Sequence, residues 1–71
     1  MRKIALKRTV TIDDRVTSVS MEDAFWRELK KIAREYDMTI SQLITDIKSR
    51  YIHGNLSSAL RQFVLENVRN R

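Results

Sequence analysis

Residues Val16-Thr17-Ser18-Val19-Ser20-Met21 alternate in character and run straight into an amphipathic helical pattern. Thr17, Val19 and Met21 fall on one side of an extended chain, and Val16, Ser18 and Ser20 on the other. A strand cannot stand alone, because its amide and carbonyl groups need partners. One nearby stretch can supply them. Lys7 to Ile12 alternates too, with Val10 and Ile12 opposite Thr9 and Thr11. Asp13-Asp14 between the two stretches suits a tight turn, although Asn-Gly is the stronger hairpin signal. Two solutions stay open: a hairpin within one chain, or residues 16–21 paired antiparallel with a second copy. If residues 9–12 fold back on 15–20 and chains still pair, the ribbon has four strands.

Three helical stripes follow. Phe25, Leu29, Ile32 and Tyr36 recur at spacings that place them on one face, with Ala33 beside them and Trp26 widening the stripe. Ser20 is expected to cap this helix, with Glu22 and Asp23 in its first turn. It should stop near Asp37, which must then take a left-handed conformation. Thr39-Ile40-Ser41-Gln42 reads as a capping box that opens a second helix, whose stripe is Ile40, Leu43, Ile44, Ile47 and Tyr51. His53-Gly54-Asn55 breaks it. A third helix then carries Leu56, Leu60, Phe63, Val64 and Val68, with Ser58, Arg61, Gln62 and Arg69 on its polar side. The expected layout is a flexible basic tail over 1–6 and one domain over 7–71. Within it, strands lie at about 8–12 and 15–20, and helices at about 21–36, 40–51 and 57–69.

A chain of 71 residues buries only about 60% of its unfolded surface and is marginal by itself. Cysteine is absent, which removes disulfides and thiolate metal sites and fits a reducing cytoplasm, the expected location. His53 is the only histidine, so neither a metal nor any other cofactor is expected. Three apolar stripes on so short a chain suggest more surface than one monomer covers, and a homodimer with a shared core is the economical answer. No apolar run is long enough for a membrane span.

The net charge is +5. Arg2, Lys3, Lys7, Arg8 and Arg15 against Asp13 and Asp14 give the first twenty residues +3, while residues 21–50 hold six bases and six acids. A basic arm suits a polyanion such as duplex DNA. Catalysis has little support, and no enzyme is expected. His53 has no acid or nucleophile at a telling spacing, Asp13-Asp14 are adjacent turn residues, and a single glycine makes no phosphate loop. At helical spacing with Leu29, Phe25 and Trp26 read as core rather than as a stacking platform for bases.

From Val16 to Arg50 the pattern of a six-residue alternating strand, the Phe25-Leu29-Ile32 stripe, a tight connection and a helix opening at Thr39-Ile40-Ser41 resembles the ribbon-helix-helix family of bacterial repressors. A closer resemblance over Lys7 to Glu66 is to small bacterial members with an added C-terminal helix. It rests on Thr17-Ser18-Val19-Ser20-Met21-Glu22, Ala24-Phe25-Trp26, Asn55-Leu56-Ser57-Ser58-Ala59-Leu60-Arg61 and Phe63-Val64-Leu65-Glu66. The resemblance implies a mainly α fold with a short N-terminal β-ribbon, as an intertwined homodimer whose ribbon enters the major groove. It implies base-facing roles for Val16, Ser18 and Ser20, and a phosphate clamp of helix-terminal amides at Thr39, Ile40 and Ser41. Lys7, Arg8 and Arg15 beside the ribbon would add phosphate contacts. The dimer core would be Val19, Met21, Phe25, Leu29, Ile40, Leu43, Ile44 and Ile47. Asp37 stands where the family commonly has glycine, and Val-Ser-Ser where it often has Arg, Lys, Asn or Gln.

The function expected is a small DNA-binding repressor or antitoxin. Two other readings compete with it. One is a dimeric interaction module without DNA binding that docks a toxin or other protein through the third helix. The other is a helix-turn-helix around residues 51–55 that reads DNA through Ser57, Ser58, Arg61 and Gln62.

Overall fold

The structure is a computed structural model that describes residues 4–51 and 54–70. Two strands, β1 (Ala5–Ile12) and β2 (Arg15–Glu22), lead into three helices: α1 (Asp23–Glu35), α2 (Ile40–Arg50) and α3 (Leu56–Arg69). The expected basic tail over 1–6 is accounted for only in part. Residues 1–3 lie outside the described residues, and Ala5 and Leu6 already belong to β1.

The strands form an antiparallel hairpin with Ile12 opposite Arg15, Thr9 opposite Ser18 and Ala5 opposite Glu22. Asp13 (φ 51°) and Asp14 (φ 63°) both take positive φ. That is the requirement of a two-residue turn whose twist matches the strands, and Asp meets it better than most residues other than Gly and Asn. Extra pairing of Ala5 and Leu6 carries β2 on to Glu22. The expected cap at Ser20 is therefore corrected. Glu22 is the N-cap of α1, and no side chain hydrogen-bonds there. Ser20 remains in the strand.

Asp37 (φ 55°) makes the left-handed corner after α1, and the Met38 amide reaches back to the Ala33 carbonyl at 2.8 Å. The capping box forms as the sequence suggests. Thr39 Oγ1 accepts from the Gln42 amide at 3.1 Å, and Gln42 Oε1 accepts from the Thr39 amide at 2.8 Å. The break before α3 includes residues 52 and 53, so the expectation for His53 lies outside the described residues. Asn55 caps α3 through the Ser58 amide at 2.8 Å.

One core joins all five elements. Val10 and Ile12 come from β1, Val19 and Met21 from β2, Leu29 and Ile32 from α1, Leu43, Ile44 and Ile47 from α2, and Leu60 and Val64 from α3. Phe25, Trp26, Ile40, Tyr51, Leu56 and Phe63 pack against it half-buried. The expectation of stripes too apolar for one chain does not hold. β1 covers one side of the helices and α3 another, so Val19, Met21, Leu29, Leu43, Ile44 and Ile47 are buried without a second copy. Two stripe residues escape. Tyr36 sits beyond the last turn of α1 and is 59% exposed, and Val68 near the end of α3 is also exposed. No helix among the described residues is long and apolar enough to cross a membrane.

Candidate nucleic-acid interface

The hairpin has two unlike faces. The register puts Leu6, Arg8, Val10 and Ile12 on one face with Met21, Val19, Thr17 and Arg15. This face covers the helices. The opposite face carries Lys7, Thr9 and Thr11 from β1 beside Ser20, Ser18 and Val16 from β2, and all six are exposed. Val16, 74% exposed, is an apolar side chain that nothing among the described residues covers. A strand row of Val, Ser and Ser thus has a second row of Thr, Thr and Lys alongside it. Together they offer four hydroxyls, three methyl-bearing side chains and an ammonium on one flat patch.

Arg8, grouped by sequence with the phosphate-binding arm, occupies the inner face. Its guanidinium lies 5.6 Å from the centroid of the Trp26 ring. It pairs with Asp23 and donates to the Met21 carbonyl at 3.1 Å. The side chain is 17% exposed, and its Nε is buried without a hydrogen-bond partner. The same pairing, mainly the hydrogen bond from Arg8, holds the Asp23 carboxyl below its ordinary value. Lys7 and Arg15, by contrast, are exposed.

At the turn end of the hairpin, a cleft of about 540 Å³ is lined by Arg15 and Lys48 together with Asp13, Val16 and Leu56. Lys48 projects from the polar side of α2, and nothing in the helical pattern separates it from a solvated lysine. Thr9 and Thr11 were legible as an outward row through their alternation with Val10 and Ile12, but which strand lay next to them was not.

At the start of α2, the capping box engages the amides of Thr39 and Gln42. The intervening amides of Ile40 and Ser41 are left at the positive end of the helix dipole. Thr39 is exposed, whereas Ile40 and Ser41 are half-buried.

The polar side of α3 faces inward at its N-terminal end. Ser57 Oγ accepts from the Ser20 amide at 3.1 Å, Arg61 Nη2 donates to the Ser20 carbonyl at 3.1 Å, and Arg61 Nε donates to Glu22 at 2.9 Å. Two of the four side chains proposed for a recognition helix are thus engaged with β2. Further along, the Tyr51 hydroxyl donates to Glu66 at 2.6 Å, which raises the phenol above its ordinary value. Among the described residues no group of three His, Cys, Asp or Glu side chains is placed to hold a metal ion.

A hairpin feeding a helix, a left-handed corner and a capped second helix is the architecture of a ribbon-helix-helix protein. The family model of the ribbon-helix-helix domain matches residues 5–68, and the chain belongs to that family. Its class is that of DNA-binding regulators. No curated protein and no solved structure matches the chain.

Proposed function

We propose that the chain acts as a homodimer in the cytoplasm that binds duplex DNA, as a small transcriptional repressor or an antitoxin, with the outer face of its β-ribbon in the major groove. The observation that carries this reading is the bare outer face. In a basic chain of a DNA-binding family, six exposed hydroxyl, methyl and ammonium side chains share one sheet surface that the core does not use. Val16, Ser18 and Ser20 face bases in this reading, joined by Thr9 and Thr11. Threonine and serine bond to several base edges, and threonine and valine methyls meet thymine methyls. Lys7 and Arg15, with Lys48 beside Arg15, and the amides at Thr39, Ile40 and Ser41 serve phosphates. Arg8 contributes through the fold, since its guanidinium is committed to Asp23 and Trp26.

The test is sedimentation combined with titration of a random duplex at two salt concentrations. The expected outcome is a dimer whose affinity falls steeply with salt, with a shallower slope in the Lys7→Ala/Arg15→Ala variant. Salt-insensitive binding, or none at low salt, would sink the proposal.

One observation favours a docking module instead: Leu65 and Val68 are exposed on α3. A protein partner lost on Leu65→Glu but kept on Lys7→Ala would support that reading. The helix-turn-helix alternative draws less support, because Arg61 and Ser57 are spent on β2.

A further inference from the structure

The clefts of this surface differ in charge. The one at the hairpin turn sets Asp13 beside Arg15 and Lys48. A second, between α2 and α3, has Asp46 and Arg50 in its walls, and these pair with each other at 3.0 Å. A third lies between α1 and the start of α2. It has a volume of about 370 Å³ and is lined by Trp26, Lys30, Ala33, Arg34, Met38 and Ile40. Two bases line it, and among the described residues no acid does.

The spacing of α1 builds this cleft. Trp26, Lys30 and Arg34 follow one another at four-residue intervals, with Ala33 beside them, so all four share one side of the helix. Ala33 is buried and small, and leaves a depression between the larger Trp26 and Met38. Trp26, Met38 and Ile40 are half-buried and make apolar walls. Arg8 lies over the Trp26 ring, 5.6 Å from its centroid, and so fixes that wall in advance. Lys30 and Arg34 are exposed, and neither side chain has a hydrogen bond or ion pair among the described residues. Like charges one turn apart repel, and an anion between them relieves the repulsion.

We propose that this cleft binds a small organic anion with a flat apolar body, of the aromatic carboxylate type. The anionic group sits between Lys30 and Arg34, and the rings lie against Trp26, Ala33, Met38 and Ile40. A bare phosphate would use the two cations and leave the four apolar side chains idle. The volume falls within the range of small-molecule sites.

The cleft adjoins the helix start that serves DNA phosphates in the reading above, and its link to DNA rests on that reading. Ile40 lines the cleft, and the Ile40 amide is one of those left at the positive end of α2. A carboxylate held between Lys30 and Arg34 repels a phosphate at that helix start. Ligand and DNA therefore weaken each other, by the same factor in both directions.

Trp26 is the only tryptophan, so its single indole N–H resonance reports the cleft directly. In the full chain, 1-naphthoate is expected to shift that resonance saturably. The alcohol 1-naphthylmethanol, the same rings without the charge, should bind about tenfold more weakly. Lys30→Ala/Arg34→Ala should weaken naphthoate about tenfold and leave the alcohol unchanged. Both positions are exposed, so the fold is retained. Lys31→Ala/Arg69→Ala removes the same charge elsewhere and should bind naphthoate as the parent does. Saturating naphthoate should raise the dissociation constant for a random duplex several-fold in the parent and not in Lys30→Ala/Arg34→Ala. Equal binding of acid and alcohol, or equal weakening in the two double variants, overturns the site. So does an unmoved Trp26 resonance, the result of a second copy covering the cleft. A filled cleft with unchanged duplex affinity overturns the link to DNA and leaves the site standing. A chain that binds no duplex overturns the DNA-binding reading, and the naphthoate titrations still decide the site.

Discussion

The two faces of the hairpin share one backbone and one register, yet they do opposite work. The inner face carries Val10, Ile12, Val19 and Met21 into the core, while the outer face leaves Thr9, Thr11, Val16 and Ser18 in solvent. The contrast is sharpest for the adjacent bases. Lys7 points outward and is exposed, whereas Arg8, one residue on, points inward and is held by Trp26, Asp23 and the Met21 carbonyl. Charge alone does not tell them apart; the two-residue period does.

Deleting side chains from the two faces should separate stability from binding. Met21→Ala is expected to lower unfolding free energy by about 2–5 kcal/mol, because Met21 is fully buried and its loss opens a cavity in the core. Ser18→Ala should stay within about 0.5 kcal/mol by the same urea titration. Equal effects would break the comparison.

The Lys7 and Arg8 pair sharpens it. Arg8→Ala should cost about 1–3 kcal/mol of stability through the lost cation–π contact and hydrogen bonds, and leave the salt slope of DNA binding in the folded protein unchanged. Lys7→Ala should leave thermal stability alone and reduce that slope by about 1.

The turn joining the faces offers a smaller effect of opposite sign. Asp14 holds φ 63°, so Asp14→Gly should relieve a left-handed residue and raise stability by about 0.5–1 kcal/mol in the same titration. Loss of stability would mean that Asp14 has a role beyond the turn.

The smallest expected effect is in pH. Arg8 lowers the Asp23 carboxyl in the folded state below its ordinary 3.8. The pair therefore contributes stability above pH 3.8 that is lost as pH falls through the folded value. Arg8→Ala should flatten the acid limb of the stability profile. At the other end of the scale, the Tyr51 phenol is raised above 10.0 by its bond to Glu66, so that contribution fades as pH rises past 10.0.

Element types and order were legible because the signals are local. Alternation marked both strands, the i, i+3 and i+4 stripes marked three helices, and Thr39–Gln42 marked a cap that forms as read. What escaped was non-local. Ser20 looked like a helix cap because the four residues after it suit a first turn. Pairing of Ala5 and Leu6 instead carried the strand past it. The stripes looked uncovered because no count of apolar residues shows that β1 and α3 close over the same core. Arg8 looked like an arm residue because its partners Asp23 and Trp26 lie fifteen and eighteen residues away. The Lys48 contribution to the cleft beside Arg15 depends on where α2 lies, which periodicity does not give.

The outer face of the hairpin as the DNA-binding surface is tested most directly by mapping backbone amide shifts while a duplex is added to the full chain. The expected result is a set of perturbed amides at Lys7, Thr9, Thr11, Val16, Ser18 and Ser20, with Ile40 and Ser41 joining them and Leu65 to Arg69 unmoved. Perturbations gathered on Ser58, Arg61 and Gln62, or none at low salt, would contradict it.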